Sequence, residues 1–391
     1  MRKHELGLLS RNLFTMILAL LIGFGSVAGA DEYDNKRVVK VMTQNIDAGT
    51  DFIFLLDLGF DLLTAATLTY GELLQSDIPD RAALLARKIA HQQPDLISLQ
   101  EVTLWQTISA GKQVTVLYDQ LQLLLNSLAA LNQHYTVVVS NNLTHNQLPV
   151  NPSLIGRYDD PTQVVSFTDR DVILARSDLK KSELSLSNPQ AHIYDHLLSL
   201  GQLGQSVRGW ISVDAKIEGK SVRFVDTHLE SVYPFVPETV TIQEAQAEEL
   251  IKAMDATNLP VILAGDFNAD AEFAGIGPDQ TDTPHKILDA GYTDTWHELH
   301  PQQHGFTWPL FLEDPLRPNP LGPFERIDLI YERNLEILKV QRLGALAHEF
   351  ASDHAGVVST MQIDNQPDKY RLENQPIGVP SPNPRNFLNP L

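Results

Sequence analysis

The sequence predicts a mixed α/β sandwich, with two sheets packed face to face and helices on the outside. Three observations carry this. Short apolar runs rich in Val, Ile and Leu recur along the chain with polar residues at their ends, as buried strands do. Longer amphipathic stretches of helical spacing lie between several of them. The middle of the chain holds strand-like runs joined through Glu218-Gly219-Lys220, a turn that signals a hairpin. No sequence repeat at a fixed period is evident.

Taken in order, Val38–Met42 reads as the first strand, ending at Asn45. Phe52 to Leu74 is rich in Leu and Phe at helix-like spacing. The amphipathic pattern from Arg81 runs to His91, and Pro94 stops it. Asp95–Leu99 is the next strand and reaches Glu101. Leu117–Leu131 is expected as a helix and Tyr135–Ser140 as a strand. Further strands are expected at Val172–Leu174, Trp210–Ala215 and Val222–Asp226. Thr239–Met254 is expected as a helix leading into the buried strand Val261–Ala264, and the last strands are Ile327–Tyr331 and Gly356–Met361. The segments Asn151–Arg170 and Gln302–Pro323 read as long loops at a site rim, where specificity is usually set.

Both ends fall outside this fold. Arg2, Lys3 and Arg11 precede an apolar stretch from Leu13 to Val27, and Ala28-Gly29-Ala30 follows as a small-residue cleavage site. This is the pattern of a secretory signal peptide over residues 1–30. The expected organisation is a catalytic domain over residues 31–363 and a proline-rich tail over 364–391. No later segment approaches about twenty uninterrupted apolar residues, so a soluble protein is expected, secreted or periplasmic after cleavage near Ala30.

Composition narrows the chemistry. The chain has no cysteine, which excludes a thiol nucleophile, a Cys-ligated zinc site and any disulfide. Its 49 acidic residues outnumber 29 basic ones, for a formal charge of −20. Such a surface repels polyanions and offers no basic footprint for tight nucleic-acid binding. A bound divalent cation would change the local field, so a nuclease is not excluded by charge.

Six short motifs carry the functional signal: Gln44-Asn45, Leu99-Gln100-Glu101-Val102, Asp226-Thr227-His228, Gly265-Asp266-Phe267-Asn268, Arg326-Ile327-Asp328 and Ser352-Asp353-His354. Four follow an apolar run and the last two precede one. Carboxylates, carboxamides and histidines at the ends of six strands are poorly explained by packing. Together they suit holding a hard cation and hydrolysing a phosphate ester.

These motifs, in this order, resemble the endonuclease/exonuclease/phosphatase superfamily, over about Val38 to Gln362. Gly265–Asn268 and Ser352–His354 are the most specific pieces. The resemblance implies a four-layer α/β sandwich, two facing mixed β-sheets flanked by helices. It implies in-line attack of water on a phosphodiester or phosphomonoester, with Mg²⁺ as the usual metal and Mn²⁺ as an alternative. Glu101, joined by Asn45, is implied as a metal ligand, and Asp353 resembles the family's second metal-side acid. Asp266 is implied to orient or deprotonate the water, and Asn268 to bind a phosphate oxygen. His354 is the alternative base or a charged phosphate ligand, oriented by Asp328. His228 is implied to donate to a nonbridging phosphate oxygen or to assist the leaving group, with Asp169 or Asp171 as its carboxylate partner. Arg208 matches a position where some members hold a phosphate contact. Arg326 more often packs structurally and is left out of the site.

The span from Asn45 to Glu101 is longer than in many members. The extra segment, about Asp51 to Ser76, is expected as two short helices packed on the sandwich edge, with an apolar lip that engages lipid as the other reading. Nucleic acid and a lipid head group both stay open as substrates, and a monomer with no stable protein partner is expected. The competing class is a non-catalytic binding module that keeps the fold.

Overall fold

The computed structural model describes residues 38–56, 59–273, 280–311, 319–344 and 350–363. The expected signal peptide and the expected tail from residue 364 lie outside the described residues. In chain order the strands are β1 (Val38–Asn45), β2 (Leu96–Gln100), β3 (Leu104–Ser109), β4 (Val114–Asp119), β5 (Tyr135–Pro149), β6 (Thr162–Arg176), β7 (Leu184–Ile193), β8 (Leu198–Ser199), β9 (Gln205–Ser206), β10 (Gly209–Ile217), β11 (Lys220–His228), β12 (Val261–Asp266), β13 (Thr293–Asp294), β14 (Asp328–Arg333), β15 (Glu336–Arg342) and β16 (Val357–Gln362). The helices are α1 (Ile53–Leu56), α2 (Leu62–Leu73), α3 (Ile78–Gln92), α4 (Gln120–Ala130), α5 (Glu238–Met254), α6 (Thr283–Asp289) and α7 (Thr295–Leu299).

Two mixed sheets form. One runs β15-β16-β1-β2-β6-β3-β4 with β5 on the other edge of β6, and the second runs β13-β14-β12-β11-β10-β7. Each contains one parallel pair among the neighbours that matter for the site, β1–β2 and β11–β12. Strand β6 is long enough to serve two partners end to end. Its first half pairs with β3, from Thr162 to Thr168, and its second with β2, from Val172 to Ala175. The hairpin expected at Glu218-Gly219 is present, joining β10 to β11 with positive φ at both residues, 45° and 92°.

The layers follow from alternation along each strand. Val39 and Val41, Leu96, Ile173, Ile211 and Val213, Phe224, Ile262 and Ile330 meet between the sheets. The outer face of the first sheet, with Met42, Ile97, Leu99 and Leu174, is covered by Leu85 and Ile89 of α3 and Leu124 and Leu128 of α4. The outer face of the second, with Val225, Leu263 and Tyr331, is covered by Ala247, Leu250 and Met254 of α5. The result is four layers, helix, sheet, sheet, helix.

Several elements differ from the sequence expectation. The helix expected over Leu117–Leu131 begins only at Gln120, where Asp119 caps it by accepting from Gln122 N at 3.4 Å. The preceding Val114–Tyr118 is β-branched and aromatic, and pairs with β3 instead. β5 runs on to Pro149, and β6 starts at Thr162, so part of the expected loop 151–170 is strand. β3, β7 and β15 had no expected counterpart. Their residues are mostly half-exposed, so no continuous apolar run marks them. The insertion does form two helices, α1 and α2. Asp61 caps α2 by accepting from Thr64 N at 3.0 Å. Tyr70 and Leu73 of α2 share an apolar cluster with Trp105, Leu148 and Phe167 on the edge of the first sheet.

Candidate active site

The site lies where the inner faces of the two sheets change from apolar to polar. Side chains two apart on a strand share a face. On β1 the inner face reads Val39, Val41, Thr43, Asn45, and on β2 Leu96, Ser98, Gln100. On β11 it reads Val222, Phe224, Asp226, His228, and on β12 Ile262, Ala264, Asp266. β14 runs the other way and so begins polar, with Asp328 ahead of Ile330. The same holds on β6, where Asp169 and Asp171 precede Ile173. The polar ends therefore gather at one rim of the sandwich.

Local backbone geometry fixes the key residues there. Glu101 sits in the break between β2 and β3 with φ 58°, opposite the point where β6 changes partners, and Val102 N donates to Arg170 O at 2.9 Å. Gly265 has φ 156°, and a Cβ there would lie 2.0 Å from Thr227 O on the parallel neighbour. Only glycine lets β12 approach β11 so closely, and this carries Asp266 beside His228 in the register. Asn268 takes a left-handed conformation, φ 47°, which asparagine tolerates well.

The expected metal-side residues are brought together in part. Asn45 Nδ2 donates to Glu101 Oε1 at 3.0 Å and to Asp266 Oδ2 at 2.9 Å, while its Oδ1 accepts from Asp47 N at 2.9 Å. Glu101 Oε2 accepts from Ala48 N at 2.7 Å. Burial, with the Asp169 and Asp353 carboxylates nearby, pushes the Glu101 carboxyl up to about 7. Asp353 Oδ2 accepts from Trp308 Nε1 at 2.8 Å. Burial also raises the Asp353 carboxyl, against the opposing pull of His354. Glu101 and Asp353 offer carboxylate oxygens that crowd one another and Asp169, while Asn45 turns its amide nitrogen to Glu101 and its oxygen to Asp47 N. Such a set fits a hard divalent cation, which would relieve that crowding.

The acid–base group lies beside them. His354 Nδ1 is 2.9 Å from Asp328 Oδ2 and 3.8 Å from Asp266 Oδ2. Burial works against a charge on this imidazole, but Asp328, Asp353 and Asp266 outweigh it and hold the ring well above its ordinary range. Asp266, Asp328 and His354 also form a compact potential ligand group. A histidine held protonated by Asp328 is a poor metal ligand, so the trio reads as an acid–base array. Asp266 Oδ1 accepts from Asn268 N at 2.9 Å. Burial pushes its carboxyl up to about 6, with His354 opposing. Asn268 gives one amide hydrogen to Leu229 O at 3.0 Å, which leaves the second for a ligand.

His228 lies on the other side of Asp266, with Nε2 3.8 Å from Asp266 Oδ2 and Nδ1 4.0 Å from Asp171 Oδ1. Of the two carboxylate partners left open for it, Asp171 is the one within this distance. Arg208 Nη1 approaches the ring to 2.8 Å. Burial and the Arg208 charge push the imidazole well below its ordinary range, so it stands neutral. Arg208 in turn has Glu230 Oε1 3.8 Å from its Nε. Arg326 stays outside this group, bound through Nε to Glu272 and through Nη1 to Asp294, each at 2.7 Å.

Sequence reasoning quotes Gln100 and Asp226 inside its motifs but gives the layer they form no role. Asp226 Oδ1 accepts from Gln100 Nε2 at 2.6 Å and from Ser98 Oγ at 2.8 Å, and burial pushes its carboxyl up to about 8. Continuing each strand's inner face by two residues would have put Gln100 and Asp226 in this layer. Glu230, wholly buried next to Arg208, lies past the end of β11 and carries no such signal.

The sequence profile of the Endonuclease/Exonuclease/phosphatase family matches residues 42–354. A search of curated proteins returned no significant match. Among solved structures, an endonuclease/exonuclease/phosphatase from Beutenbergia cavernae DSM 12333 superposes with TM-score 0.54 at 21% identity, covering 84% of this chain and 72% of that one. An endonuclease/exonuclease/phosphatase family protein from Leptotrichia buccalis C-1013-b superposes with TM-score 0.52 at 18% identity, covering 83% of this chain and 99% of that one. At these identities the likeness is one of fold.

Proposed function

The chain belongs to the endonuclease/exonuclease/phosphatase family, whose members are generally metal-dependent phosphodiesterases and nucleases, and from that premise we propose an exported phosphoesterase that hydrolyses a phosphate ester by in-line attack of water. The observation that carries the reading is the placement of Asp266. One oxygen of its carboxylate is held by Asn268 N and the other by Asn45, with His354 and His228 each 3.8 Å away. A carboxylate so fixed can accept a proton from water while its neighbours hold the phosphate.

Asn45, Glu101 and Asp353 are the residues that would hold the metal, with Mg²⁺ first and Mn²⁺ second. When bound, the ion supplies charge neutralisation at the scissile phosphate and at the departing oxygen. The other roles belong to this chain's side chains. Asp266 aligns the water and takes its proton as the oxygen attacks phosphorus. Asn268 and the neutral His228 donate to nonbridging oxygens, and Arg208 adds positive charge behind His228. His354 acts as the charged phosphate ligand, which its three carboxylate neighbours favour over the base role. Positioning and fixed electrostatics account for most of the acceleration in such a site. Export rests on the N-terminal charge, apolar stretch and Ala28-Gly29-Ala30.

The test is a cleavage panel on purified protein with Mg²⁺, Mn²⁺ or EDTA. Plasmid DNA, RNA, sphingomyelin, phosphatidylcholine and bis-p-nitrophenyl phosphate serve as substrates, with His354→Ala beside wild type. Cleavage abolished by EDTA and by the substitution supports the reading. A folded protein that cleaves none of them and shows no Mg²⁺ binding at millimolar concentration returns the chain to the binding-module class.

A further inference from the structure

We infer that the groove holding the catalytic residues has a second, apolar lobe that seats the hydrocarbon substituent of a single-phosphate ester, so that the substrate is an amphiphile. This rests on the phosphoesterase reading and specifies its substrate. One groove of about 1150 Å³ is lined both by Glu101, Asp266 and His354 and by the apolar insertion. Small-molecule sites usually span roughly 300–1,000 Å³, and a phosphate with its water needs a small part of this one.

Three separate chain segments build the lobe. Phe52, Leu55, Leu68 and Leu74 come from the insertion, Ile155 from the turn after β5, and Leu203 from the turn between β8 and β9. Five of these, all but Leu68, pack against the edge cluster of Trp105 and Phe167. Phe52 stacks over this floor, its ring centroid 5.1 Å from Phe167 and 6.1 Å from Trp105. Trp105 is pinned by a hydrogen bond from Nε1 to Ala48 O, 2.8 Å. The insertion thus packs on the sandwich edge and also lines the groove.

Charge separates an amphiphile from a polyanion. Each arginine lining the groove faces an acid of this chain: Arg81 meets Asp47 at 3.0 Å, Arg157 meets Asp160 at 3.3 Å, and Arg208 meets Glu230 at 3.8 Å. Glu72 also faces the lobe. A strand of phosphates would find acids and hydrocarbon beyond the scissile position, whereas an alkyl chain finds surface that is stabilised by being covered.

A series of n-alkyl p-nitrophenyl phosphate diesters, methyl to octyl and below micelle formation, tests this on purified full-length protein with Mg²⁺. The leaving group stays constant and only the tail changes. kcat/KM should rise roughly threefold per methylene over the first several carbons. Ile53→Glu, at an exposed groove position, should flatten the series and leave methyl-ester cleavage unchanged, and Leu203→Ala should lower its slope. Calorimetric binding of octylphosphonate against methylphosphonate gives a readout independent of turnover. A flat series in an active wild type, or an oligonucleotide cleaved better than the octyl diester, overturns the lobe and spares the phosphoesterase reading. Chain-length-dependent binding without turnover of any diester does the reverse, and flat binding without turnover overturns both.

Discussion

A single amide nitrogen serves two acids at the centre of the site: Asn45 Nδ2 bonds both Asp266 and Glu101. Around it, neighbouring ionisable groups are pushed in opposite directions. His354 is held protonated by carboxylates, whereas His228 is held neutral by burial and Arg208. Two histidines of the same sequence type therefore take different roles. Replacing His354 with Ala should lower kcat by about 10²–10³. Asp328→Asn, which keeps the shape but removes the charge that orients the ring, should cost roughly tenfold or more with KM less affected. Steady-state kinetics on one diester measures both. Away from the site, Glu332 gives a cleaner test of burial. Its carboxylate accepts from Leu335 N at 2.8 Å, and burial pushes its pKa up to about 7. A raised acid binds its proton more tightly folded than unfolded, so stability falls as pH rises from about 4.5 to 7. Glu332→Gln should therefore gain on wild type across that window, by roughly 2 kcal/mol at pH 8, and be near neutral or slightly destabilising at pH 4. Urea unfolding at both pH values reads the difference.

Elements carry the site through the period of the strand. Asn45, Asp226, His228 and Asp266 continue a face that begins apolar, and Asp328 precedes one on the antiparallel β14, so the alternation that builds the core also aims the chemistry. Gly265 shows how narrow the tolerance is. Gly265→Ala would force a Cβ into the Thr227 carbonyl, and it should cost roughly 3 kcal/mol or prevent folding, measurable by chemical denaturation. Legibility in the sequence followed the same physics. A buried central strand such as Val261–Ala264 is readable because both faces are apolar. Half-exposed β3, β7 and β15 lack that mark, and Leu117–Asp119, the end of β4, merges with the apolar pattern of the helix that follows it. In the site, residues inside short motifs were readable. Glu230 was not, because it gains its role only by meeting Arg208 in space. Trp308, inside the expected rim loop Gln302–Pro323, carries no motif, yet its indole N–H bonds Asp353.

The whole molecule is acidic, with formal charge −20, and the rim that gathers Glu101, Asp266 and Asp353 is acidic too. A divalent cation and a single phosphate suit such a surface, whereas a long polyanion meets repulsion along its length. Cleavage of a single-phosphate diester should therefore change little between 50 and 200 mM salt, in contrast to the roughly 10³–10⁵ loss of affinity typical of proteins that grip six to ten phosphates. A KM series in NaCl measures this. The proposed mechanism turns on Asp266 receiving the water's proton. The most direct measurement is hydrolysis of bis-p-nitrophenyl phosphate by Asp266→Asn under saturating Mg²⁺, alongside Mg²⁺ binding by calorimetry. With Asp266 as the base, kcat should fall at least roughly hundredfold with Mg²⁺ still bound. Hydrolysis at the wild-type rate by a folded, Mg²⁺-bound Asp266→Asn protein would contradict it.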